Sequence, residues 1–182
     1  ALKVLNAMGI IDILPGSGMY LSKDTTGIFT LPFSWTFLLS TDSNQNVYQL
    51  PMILQRETVR MAIQKRYTPQ FEPIREAAER EKLLISQHDY SHKMECDQQF
   101  HMSIAACAGN EILYNLHFTC RKIISFLNAH GMSTLEQIEA TQKEPYALYP
   151  AMANGDVPEA ERLILEHLQN AEHRYRWKSE TS

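Results

Sequence analysis

Much is excluded by what this chain has little of. Cysteine is scarce and odd in number: Cys96, Cys107 and Cys120 lack both the spacing that grips zinc and the even count of a disulfide-stapled secreted domain. Reduced thiols and a cytoplasmic location are the expectation. No apolar run reaches the roughly 18 residues of a membrane helix, so no membrane partner is expected. Neither sign of charge dominates. With 17 Lys and Arg against 21 Asp and Glu, the net charge is −4, which excludes a surface basic all over but leaves room for a local basic patch. No signal-peptide pattern opens the chain. Ala1 already stands inside a helical pattern, so the natural beginning is expected to lie upstream. No internal repeat or low-complexity tract appears. What is present is 182 residues, 44% hydrophobic and 21% charged, enough for one or two domains with a real core.

The central feature is the stretch from Met94 to Asn110. It contains no proline, is rich in helix formers and ends in the stop signal Gly109-Asn110, which predicts one helix. Positions 94, 97, 101, 104 and 108 share a face of it, because three- and four-residue steps bring side chains together. Three of the five are apolar, so this is the inward face, yet Asp97 and His101 stand in its middle. A carboxylate and an imidazole facing inward must pair, bind something, or make burial expensive.

Around that helix the chain reads as follows. Ala1 to Met8 ends a helix stopped by Gly9; Ile10 to Leu14 and Met19 to Ser22 are short strands joined by the turn Pro15-Gly16-Ser17-Gly18. The pattern fits either an ordinary hairpin after a helix or the closing half of a winged helix. Lys23 to Leu31 is polar and reads as a linker. Helices are then expected over Phe33 to Leu39, and over Val47 to Arg66 with Pro51 tolerated near its start. Another is expected from the N-cap Thr68 and Pro69 to about Ile85, and Asp89 is the expected cap of the central helix. Glu111 to Ala129 follows with Leu113, Leu116, Cys120, Ile124 and Leu127 inward, then a stretch from Leu135 to Ala153, then Val157 to Trp177.

Residues 1–21 closely resemble the tail of the GntR-type DNA-binding domain: Ala-Leu, then Leu5-Asn6-Ala7-Met8-Gly9-Ile10-Ile11, then the Pro15-Gly16-Ser17-Gly18 wing tip and the strand with Tyr20. The helical part resembles the FCD effector domain of the FadR-like branch. Thr68-Pro69, Asp97-Gln98-Gln99-Phe100-His101, Gly109-Asn110, Asn154-Gly155-Asp156 and Glu166-His167-Leu168 carry the likeness. The resemblance implies a mainly α fold. A winged-helix remnant occupies 1–24, without its earlier helices, a linker 25–32, and an all-α antiparallel bundle for effector binding and dimerisation 33–178. It implies a homodimeric transcription regulator that binds a DNA operator and senses a small organic acid.

The candidate chemistry follows. Asp97, His101 and His167 suit a divalent ion of the zinc, nickel or manganese class. The family places a fourth ligand 22 residues before the terminal His, and counting back from His167 lands on Pro145, which has no donor. The alternatives stay open: an ion with three protein ligands, or Asp97 and His101 neutralised by each other or by arginine. Pro150 reads as a second break in a helix. Arg56, Arg60 and Arg121 are effector candidates by location, each with the plain alternative of a surface charge. His117, on the inward face of its helix, is a further candidate or a satisfied core histidine. At the wing, Gly16, Ser17 and Gly18 allow close backbone approach to DNA and Lys3 can meet phosphate, although turn geometry alone also explains them. His88-Asp89 lacks the partners of a metal phosphohydrolase. The competing readings are a metal-dependent helical enzyme, which lacks a second inward carboxylate as base, and a ligand-binding module without DNA contact.

Overall fold

In a computed structural model of the protein, residues 2–23, 44–87, 89, 92–129 and 144–179 are described. The expected linker, the helix at Phe33 to Leu39 and residues 135–143 of the later stretch lie outside them. At the start, α1 (Leu2–Ala7) leads into β1 (Ile11–Leu14) and β2 (Gly18–Leu21). The strands pair antiparallel, from Ile11 opposite Leu21 to Leu14 opposite Gly18. The two-glycine tip is required by its backbone: Gly16 and Gly18 have φ of 78° and 110°, where a side chain is strained. Tyr20 closes the turn by donating its hydroxyl to the Ser17 carbonyl at 2.7 Å.

The remainder is helical. It comprises α2 (Asn44–Ile63), a 3₁₀ turn at Pro69–Phe71, α3 (Glu72–Ser86), α4 (Lys93–Ala108), α5 (Glu111–Ala129), α6 (Glu144–Asn154) and α7 (Val157–Ser179). α2 packs against α4, α5 and α7, α3 against α4, and α6 against α7. The sequence pattern explains the faces: α2 buries Leu54, Gln55, Thr58, Val59, Ala62 and Ile63, at three- and four-residue steps. The apolar core gathers Val59, Ile63, Phe71, Ile74, Phe100, Ile104, Leu148, Met152, Ile164 and Leu168. Fully burying each of the larger ones contributes about 1.5–3 kcal/mol.

Several local expectations change. α2 begins at Asn44, so Pro51 lies well inside it, and it stops at Ile63. α6 runs unbroken through Pro150, held in place by Leu148 and Met152 buried on either side. Thr68 does stand as an extended N-cap before Pro69, but of a 3₁₀ turn, and its hydroxyl donates to the Lys65 carbonyl at 2.7 Å instead of capping. The α-helix proper starts only at Glu72, behind the 3₁₀ turn. α4 starts at Lys93 after His92, and Asp89 meets the ring of His92 at 2.8 Å. Gly109 ends α4 as expected, at φ 74°. Asn110 then accepts the Leu113 N–H and opens α5, while Asp156 does the same for Glu159 in α7. The turn after α2 ties two helix ends together. Lys65 Nζ donates to the Ala108 carbonyl at 3.3 Å, and the Arg66 guanidinium lies over Gly155, leaving a Cβ there only 2.9 Å of room.

Candidate metal and effector site

Two helices bring the central residues together. Asp97 and His101 stand one turn apart on α4, and His167 enters from α7. His101 Nε2 lies 3.4 Å from Asp97 Oδ1, His167 Nε2 lies 3.5 Å from the same oxygen, and the two Nε2 atoms are 3.1 Å apart. Ligand atoms that share one ion at about 2.0–2.2 Å sit roughly 3.0–3.5 Å from one another. The trio has that spacing, and two imidazoles with one carboxylate is a donor set for a borderline divalent ion. The residues therefore fit the group: Asp97, His101 and His167 would hold it, and it would supply Lewis acidity toward an oxygen ligand.

The other carboxylate oxygen is taken. Arg121, from α5, places Nη2 on Asp97 Oδ2. Burial works against the charge of Asp97, but Arg121, His101 and the hydrogen bonds from both imidazoles outweigh it and hold the carboxyl well below the usual carboxylate range. His101 is pushed down to about 4 by burial and by Arg121, so its imidazole is neutral near pH 7. His117 is also held well below an ordinary histidine by burial, His101 and Arg121. Neutral imidazoles are the form that binds metal.

Comparison with known proteins decides the family. Residues 46–170, more than half of the chain, match the FCD domain. The chain belongs to the GntR family of transcription regulators and carries an FCD domain. It is 24% identical over 177 residues to the HTH-type transcriptional regulator LutR of Bacillus subtilis (strain 168), covering 94% of this chain and 80% of that one. In fold it is similar to Streptococcus agalactiae GntR, with a TM-score of 0.72 at 17% identity over 94% of this chain and 78% of that one. It is also similar to Lar, which controls the expression of the Listeria monocytogenes agr system, with a TM-score of 0.59 at 13% identity over 96% and 76%. The mainly helical fold with one small hairpin is that of these neighbours. GntR regulators act on DNA and are not enzymes, and no described helix is long and apolar enough to cross a membrane.

Within the FCD domain the other candidates separate. Arg121 and His117 lie beside the trio: the His117 ring centre is 6.4 Å from that of His101. Arg56 and Arg60 sit half-exposed on α2 and turn to Glu161 of α7, at 3.9 Å and 3.2 Å. Pro145 stands near the start of α6. At the wing, Lys3, Gly16, Ser17 and Gly18 are all exposed. Sequence reading placed His117 inward and named Arg121, but missed the other buried polar residues of α5 and α2. Leu113 and Leu116 are only partly covered, whereas Asn115, His117, Thr119, Arg121 and Gln55 are buried. The spacing of Asn115 and Thr119, four residues apart like His117 and Arg121, was the available signal for them.

Proposed function

We propose that this regulator is ligand-responsive. Its helical domain receives a small organic acid at Asp97, His101 and His167, with Arg121 beside them and a zinc-, nickel- or manganese-class ion between. Residues 1–24 contact the operator through the wing tip and Lys3, 25–32 link, and 33–178 sense and dimerise in the cytoplasm. Two-fold pairing suits half-site recognition, and a guest that prefers one arrangement of the pair shifts it by its differential affinity.

The observation that supports this most is the meeting of three ligand-type atoms on two helices, beside the buried Arg121 and His117. The Arg121–Asp97 pair favours a second reading, in which the acid is bound by the arginine and imidazoles with no ion. Elemental analysis of the purified protein and of Asp97→Ala separates the two. The expected result is about one equivalent of metal in the wild type and none in the variant. Metal that survives Asp97→Ala refutes the ligand assignment. A metal-free protein stabilised by an acid in thermal-shift assays supports the second reading; one that no acid stabilises ends the sensor model.

A further inference from the structure

Three helices end beside one another. α2 stops at Ile63, α4 at Ala108 and α6 at Asn154, and the last carbonyls of a helix lack intrahelical partners and carry partial negative charge. Two consecutive cations answer them. The Lys65 ammonium donates to the Ala108 carbonyl of α4 at 3.3 Å, and Arg66 turns back to give Nη1 to the Ile63 carbonyl of α2 at 3.1 Å. The same guanidinium lies over Gly155, directly after α6, and its Cζ stands 4.4 Å from the centre of the Tyr67 ring.

Both receiving turns are shaped for these side chains. Gly109 and Gly155 have φ of 74° and 75°, where any Cβ is strained. A Cβ would also run into Lys65 Nζ at Gly109 and come within 2.9 Å of Arg66 Nε at Gly155. The two cations, moreover, are mounted on one short stretch of backbone. Lys65 and Arg66 donate their N–H groups to Ala62 and Ile63 at 2.9 Å and 3.2 Å. The Lys65 carbonyl accepts both the N–H and the hydroxyl of Thr68, at 2.9 Å and 2.7 Å. The stretch from Lys65 to Thr68 thus ties the end of α2 to the α4–α5 and α6–α7 connections, which are far apart in sequence. Because the two side chains share its hydrogen bonds, displacing one displaces the other.

We propose that Lys65 and Arg66 form one clamp, so that the α4–α5 and α6–α7 connections open as a single unit with the end of α2. Two independent C-caps would each loosen one helix when removed; a clamp passes the loss to both connections. The test reads amide hydrogen exchange by NMR in the full chain. The reporters are Gly109, whose N–H is held by Ala106, and Gly155, held by Met152; Gln87, held by Leu83 at the other end of α3, is the control. Lys65→Met keeps the stem and removes the ammonium. It speeds exchange about tenfold at Gly109, the worth of about one hydrogen bond from a charged donor, and at least about threefold at Gly155, with Gln87 unchanged. Arg66→Met gives the reverse order, largest at Gly155 and still present at Gly109. In the double variant the combined effect falls short of the product of the single effects. Gly155→Ala disturbs Arg66 from the other side: it speeds Gly109 exchange in the wild-type background and adds nothing at Gly109 in Arg66→Met. A rise confined to Gly109 in Lys65→Met and to Gly155 in Arg66→Met makes the pair two separate caps and overturns the clamp. No rise at either amide shows that these contacts hold nothing, and an equal rise at all three, Gln87 included, reports global unfolding; both overturn it too.

Discussion

The bundle has an apolar interior and a polar one, built on the same helices a turn apart. On α4, Phe100 and Ile104 are almost wholly buried among Val59, Ile63, Ile74 and Met152; Asp97 and His101 occupy neighbouring turns of the same helix. On α7, Ile164 and Leu168 face hydrocarbon while His167 faces the acid. The apolar interior is redundant, since each of its members is one contact among many and none is chemically singular. The polar one depends on particular atoms: among the described residues, Asp97 alone meets both Arg121 and two imidazoles. Stability is thus spread over one region, and chemistry is concentrated in the other.

Breaking the apolar interior has the largest expected effect. Phe100→Ala deletes a ring that is 1% exposed and should lower unfolding free energy by about 3–5 kcal/mol in a denaturant titration. A loss under about 1 kcal/mol would show that this region is not the source of stability. Breaking the polar interior by removing the proposed ion comes next. An excess of EDTA over metal-loaded protein should lower the melting temperature, by the equivalent of about 4 kcal/mol were the ion held at a thousandfold excess over its Kd. No change, with metal demonstrably removed, would separate the ion from the fold. The smallest effect sharpens the comparison. Cys107 packs in the apolar core and Cys120 lies next to Arg121, and burial raises both thiols, Cys120 to about 12. Both should resist a thiol reagent at pH 8 until guanidinium unfolds the chain. Rapid labelling of Cys120 alone would mean that solvent enters the polar side freely.

Legibility followed distance along the chain. The hairpin could be read from Pro15-Gly16-Ser17-Gly18, because a tip with two positive-φ glycines is set by a few adjacent residues. Asp97 and His101 could be placed on one face for the same reason, and Gly109 as the stop. The family motifs supplied His167, which no local rule connects to α4. Features decided by packing were misread: Pro150 inside an unbroken helix, and the Thr68 hydroxyl turned back to Lys65. Propensity is a weak prior where buried neighbours hold a segment in place. Pairings between distant residues, such as Arg121 with Asp97 or Arg60 with Glu161, leave no periodic trace to follow. Gln55 escaped because one polar residue on an apolar stripe looks like noise until its burial is known.

The two basic residues after α2 give the helical domain a rivet. Lys65 grips the last carbonyl of the helix that carries the acid, and Arg66 covers the glycine that launches the helix carrying the distant imidazole. The spacing between the helices that carry Asp97 and His167 is therefore held at one outer corner of the molecule as well as by their packing on α2. A shift in that spacing would have to loosen this corner or pivot about it.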